Sequence, residues 1–172
     1  MRKHSPMSMF FKSVSEVVDQ EQLVHNDTGY IGNAAGVTVF GAQSFQLSGN
    51  KIVNALECNI EGIYGTFSGN ITLTIETDNS DKPSGILADV NATKIMVPAV
   101  GISRVQFAIP FELSGGTTYW IVNRCNVQTI GNYLANRADT TEPYANGHIS
   151  AYYMGSWHSV ASDSYFKIFV RA

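Results

Sequence analysis

The side chains able to do chemistry are few and scattered. The four histidines, His4, His25, His148 and His158, fall in no HExxH motif or other paired ligand spacing. No Gly-x-Ser-x-Gly elbow, no phosphate-cradling glycine loop ahead of a helix and no Cys-x-x-Cys is present. Acidic residues on two strands could meet as a glycosidase pair, because sequence separation does not limit distance in a sandwich, yet nothing in the sequence selects such a pair. Asp78, Asn79 and Asp81 place three oxygen-bearing side chains within four residues, a composition able to hold Ca²⁺. Lys82 beside them, and the habit of Asp, Asn and Ser of bonding their own backbone, favour a plain turn. No catalytic residue, no metal and no cofactor is therefore expected, and the chain reads as a protein that is not an enzyme.

Aromatic residues are the other chemical resource. Tyr133, Tyr144, Tyr152, Tyr153 and Trp157 fall in a stretch rich in Asn, Ser and Gly. Exposed rings flanked by amides and hydroxyls suit sugar stacking or a protein contact, since each supplies apolar area at low entropic cost. Adjacent residues of a strand face opposite sides, so one of Tyr152 and Tyr153 is a packing residue. The expected contact residues are Tyr133, Tyr144, Tyr153 and Trp157, with Asn132, Asn136, Asn146 and His158 as polar companions. Cys58 and Cys125 lie in strand-like segments and read as two half-buried thiols, a bridge between facing strands staying open.

Composition sets the frame for these groups. The 172 residues fit one domain, and only 15% are charged, below the ~25% usual for globular chains. With 15 Gly and 11% aromatics, this suits short strands joined by tight turns. A formal charge of −3 with scattered basic residues leaves no footprint for nucleic acid. The start, MRKHSPMSMFFKSV, lacks an apolar run because Ser5, Pro6, Ser8 and Lys12 interrupt it, so neither a secretory signal nor a membrane span is expected.

The elements that must carry these residues are strands. In residues 69–88, GNITLTIETDNSDKPSGILA, Ile71, Leu73 and Ile75 alternate with Thr72, Thr74 and Glu76 before a polar turn and a short apolar return. Val105, Phe107 and Ile109 repeat the alternation. Strands are predicted over 37–47, 51–60, 70–77, 94–97, 104–113, 118–127, 131–135, 148–153 and 164–170, separated by turns such as LSGN and LSGG. The fold class is all-β, an antiparallel sandwich. Residues 1–36 differ. Phe10, Val14, Val17, Val18, Glu21 and Val24 approximate helical spacing, and HNDTGYIGNAAG over 25–36 reads as a linker. The division is thus an N-terminal arm over 1–36 and a sandwich over 37–172.

Five landmarks occur in order: A-Q-S-F at 42–45, the stretch at 69–88, an aromatic strand at 105–111, L-S-G-G-T-T-Y-W at 113–120 and a closing strand at 165–170. Together they resemble a family of β-sandwich domains found in phage virion proteins and in bacterial cell-surface or carbohydrate-associated modules. The resemblance implies a jelly-roll-like fold and a non-catalytic role in display, attachment or glycan contact, and it carries over no catalytic residue.

The function expected is that of a virion structural protein, a capsid decoration, spike or tail-associated protein, made in the host cytoplasm and built into the particle. Its arm, with Phe10, Phe11, Val14, Val17 and Val18, would dock it to other virion proteins or to sister subunits, a homotrimer being the expected oligomer. The rival expectation is a carbohydrate-binding module that stacks glycans on Tyr133, Tyr144 and Trp157. Neither nucleic acid nor membrane is an expected partner.

Overall fold

The computed structural model describes residues 15–33, 36, 38–125, 129–141 and 144–172. Among these, the chain runs through β1 (Glu16–Gln22), β2 (Asp27–Asn33), β3 (Thr38–Gln46), β4 (Lys51–Tyr64), β5 (Ile71–Asp78), β6 (Pro83–Leu87) and β7 (Thr93–Met96). It continues through β8 (Gly101–Leu113), β9 (Thr118–Cys125), β10 (Asn132–Asp139), β11 (Ile149–Tyr153), β12 (Ser156–Val160), β13 (Asp163–Ser164) and β14 (Phe166–Arg171). Every pairing between them is antiparallel.

Alternation explains the layers. Ile71, Leu73 and Ile75 of β5 are buried on one face, as are Val105 and Phe107 of β8, and each such side chain contributes roughly 1.5–3 kcal/mol by leaving water. A helix would scatter the same residues around its axis. One layer has β8 on one edge of the long strand β4, with β14 and then β10 sharing its other edge. β1 extends that layer beyond β14, and β2 extends it beyond β10. The second layer is β12-β11-β3-β9-β5, with β6 and β7 both on the far side of β5. The layers meet where β2 bonds β3 through Gly32–Val39 and Asn33–Thr38.

Between them lies the core. Phe45, Leu73, Ile75, Tyr119 and Ile121 from one layer pack on Val53, Leu56, Val105, Phe107, Phe111, Phe166, Ile168 and Val170 from the other. A second cluster, Ile31, Ile60, Ile71, Cys125 and Leu134, fills the end near β2 and β10. The two cysteines thus lie in separate clusters, and Cys58 carries a free thiol. All nine predicted strands overlap observed ones, and the architecture is an all-β antiparallel sandwich.

The N-terminal segment departs from its reading. Residues 16–22, expected as helical turns, form edge strand β1 on β14, and the expected linker contains β2, a strand inside the sheet. The described part of the expected arm is therefore hydrogen bonded into the sandwich, whose first strand starts at Glu16. The physical reason is the open edge of β14, whose backbone groups pair better with a strand than with water. In β2 Gly32, which looks like a loop signal, lies tight against the backbone of β10. Gly32 has φ +120, and a Cβ there would lie 2.8 Å from Asn132 O and 2.9 Å from Tyr133 Cα. Phe10, Phe11 and Val14 fall outside the described residues. The hairpin β11–β12 also went unpredicted beyond β11, its turn being made by Met154 and Gly155 at positive φ.

Candidate functional site

Cross-strand partners share one face of a sheet, so register alone assigns the outer face of the β2-β10-β4 region. There Tyr133 pairs with Gly32 and with Tyr64, Ala135 pairs with Tyr30 and with Gly62, and Arg137 pairs with Thr28. The small residues Gly32, Gly62 and Ala135 leave room for the tyrosine rings to lie back along the sheet. The Tyr64 ring covers Gly62, where an added Cβ would lie 2.8 Å from Cε2. Tyr64 and Tyr133 stack at 4.6 Å with 13° between planes, and Tyr30 meets Tyr133 edge-on at 5.3 Å. Such stacked and edge-to-face geometries are the favoured ones. The cluster is open to solvent, with Tyr30 50% and Tyr64 45% exposed.

Polar groups border the rings on this face. Thr28 Oγ1 donates to Glu61 Oε2 at 2.8 Å, Glu61 being the extra residue of a bulge where β4 passes β10. Arg137, half-buried in the next row, has its Nε buried without an acceptor among the described residues.

The four aromatic residues predicted for ligand contact do not come together. Tyr133 belongs to the cluster just described. Tyr144 packs edge-on against core residue Phe166 at 5.2 Å, with its hydroxyl on Gln20 Oε1 and its amide on Asp163, and burial pushes its phenol up from its ordinary value. Trp157 closes a small apolar cluster of Ala42, Trp120 and Val122 on the outer face of the second layer, edge-on to Tyr152. Tyr153 lies on the opposite side of the same hairpin and stacks on His158 at 4.1 Å. Of the polar companions, Asn132 Oδ1 accepts from Thr66 N, and Asn136 faces the interior beside Ile60. The tyrosines missed by sequence reasoning are Tyr30 and Tyr64, and the signal was the pattern Gly-Tyr-x-Gly and Gly-x-Tyr around each.

Asp78, Asn79 and Asp81 form the β5–β6 turn. Asp78 Oδ1 accepts from Trp120 Nε1 at 2.7 Å, its Oδ2 from Asp81 N at 3.3 Å, and Ser80 and Asp81 take positive φ. Asp81 Oδ2 lies 3.5 Å from His148 Nε2. Among the described residues no three His, Cys, Asp or Glu side chains converge as metal ligands.

The buried carboxylates Glu76 and Asp163 serve structure. Glu76 is 1% exposed on the outer face of the second layer, paired with both Arg124 nitrogens and accepting from Thr74 Oγ1 at 2.8 Å and Gly85 N at 2.9 Å. Asp163 accepts from Gln43 Nε2 at 2.8 Å and from the Tyr144 amide, and burial lifts its carboxyl above its ordinary value despite these bonds. A wedge of about 250 Å³ opens between the layers, walled by Ile31, Val39, Phe40, Ile149, Ala151 and Val160. No protein-family model matches the chain, and no curated protein matches it either.

Proposed function

We propose that the chain is a non-catalytic structural protein of a virus particle, a decoration, spike or tail-associated protein that assembles through the edges of its sandwich. One observation carries the reading. Ile95, Val97, Val100 and Ile102, each at least 60% exposed, line the side where β7 of one layer leads into β8 of the other. Monomeric proteins seldom leave such an apolar run at a sheet edge unguarded, because it templates pairing with another chain. Among the described residues β8 bonds β4 alone, on one side. At the opposite edge of the same layer, β1 carries exposed Val17 and Val18. Unlike edges on opposite sides suit head-to-tail contacts that close into a ring, here a homotrimer. The segment with Phe10, Phe11 and Val14 precedes β1 and lies outside the described residues.

The test is the mass of the assembly. Sedimentation of the full chain should give an oligomer, and Val100→Asp with Ile102→Asp should give a folded monomer. A monomeric wild-type chain at micromolar concentration overturns the edge-assembly reading. Antibody labelling of purified particles by electron microscopy checks the location, and unlabelled particles from cells that make the protein would refute it.

A further inference from the structure

We propose that the tyrosine cluster on the outer face of β2, β10 and β4 is a carbohydrate-binding site, taking a chain of pyranose rings with equatorial hydroxyls. Independent of the assembly contact, this site lies on a face and not at an edge. Three observations meet there. The first is the exposure of Tyr30 and Tyr64, two rings held against Tyr133, Tyr30 edge-on and Tyr64 stacked, with Tyr64 also lying over Gly62. Pyranoses with equatorial hydroxyls present flat faces of axial C–H groups, which pack on aromatic rings and gain from their rigidity.

The second is the polar border. Among the described residues Glu61 takes one bond, from Thr28, and a carboxylate with about four lone-pair sites has capacity left for vicinal hydroxyls. The third is Arg137, whose buried Nε has no acceptor among the described residues. A buried donor without a partner is costly, and a ligand that orders the guanidinium would reduce that cost. The mixture of rings, carboxylate, guanidinium and hydroxyl argues against a purely apolar occupant such as a second copy's sheet face. It matches a ligand that is apolar on its faces and polar around its rim.

The experiment is a titration of the full-length protein with cellohexaose, chitohexaose and xylohexaose, read by NMR of the tyrosine ring protons and by calorimetry. At least one hexaose should shift the Tyr30, Tyr64 and Tyr133 resonances. Tyr64→Ala should weaken binding about tenfold or more at an unchanged melting temperature, the loss of about 1.4 kcal/mol typical of a truncated anchor ring. Tyr64→Phe should bind within about twofold of the wild type if ring stacking dominates. Trp157→Ala should leave affinity unaltered. Absence of ring shifts with all three sugars at millimolar concentration overturns the proposal, as does undiminished binding by Tyr64→Ala. Ring shifts that follow protein concentration without sugar would identify a second copy as the occupant and overturn it equally.

Discussion

Removing the Arg124 guanidinium would strand Glu76, a carboxylate almost fully buried on a sheet face whose only cationic partner among the described residues is that arginine. Arg124→Met is therefore expected to cost about 3–5 kcal/mol in chemical unfolding, whereas Glu76→Gln with Arg124→Met together should cost less. Cys58 makes a second prediction. Burial, helped by Glu57 nearby, pushes its thiol up to about 11, so at pH 8 its thiolate is roughly a hundredfold scarcer than that of an exposed cysteine. Mass spectrometry of the Cys58 peptide should show slow alkylation that becomes fast in denaturant. Asp19 gives the pH dependence. Burial draws its carboxyl upward, but hydrogen bonds from Ser48 and Gln20 and the Lys51 charge outweigh that and hold it below its ordinary value. A lowered folded pKa stabilises the fold above the ordinary carboxylate pKa, and that contribution is lost as pH falls through the lowered value. Asp19→Asn should thus be less stable by about 1 kcal/mol at pH 7, with the gap closing on acidification in thermal melts. At this scale the sequence was a partial guide. The turn-forming role of Asp78 and Asp81 was legible from composition, because short polar side chains bond locally. Tyr30 and Tyr64 were hidden because their surroundings look like loop, and the packing of Tyr144 on Phe166 was not legible because a ring's exposure depends on what distant strands lay against it.

Among elements, β5 shows what pattern alone can deliver and what it misses: three aliphatic residues at period two assign one face to the core, while the burial of Thr74 and Glu76 on the other face has no apolar signal. β1 shows the opposite. Its Val17–Val18 doublet fits several periods over seven residues, and only the open edge of β14 more than a hundred positions away decides for a strand. That origin separates two truncations. Deleting residues 1–14 should leave a fold that melts near the wild-type temperature yet assembles less well, as gel filtration with light scattering would register. Deleting residues 1–24 removes β1, bares the edge of β14 and takes Gln20 away from the Tyr144 hydroxyl, so it should lower the melting temperature and promote aggregation. Equal melting of the two truncations would mean that β1 adds no stability.

For the molecule as a whole, the sandwich is stitched by pairings between distant positions: β14 with β4, β10 with β2, and β11 with β3. Loop-closure entropy is spent before those contacts form, so refolding from urea is expected on a millisecond-to-second scale, and not in microseconds. Stopped-flow fluorescence of buried Trp120 reports it directly. The two-layer arrangement was legible because many short alternating strands admit few other packings. Which strands neighbour which was not, since register depends on complementary faces that no local window contains.

One consequence follows from β1 lying beside β14, where Glu16 faces Arg171 and the Ala172 amide donates to Ser15 O at 3.0 Å. Positions 15 and 172 are close enough for a short peptide linker to join them. A circular permutant closed there and reopened at the Met154–Gly155 turn should retain the native near-ultraviolet spectrum, so cargo could be grafted at a site of the experimenter's choosing.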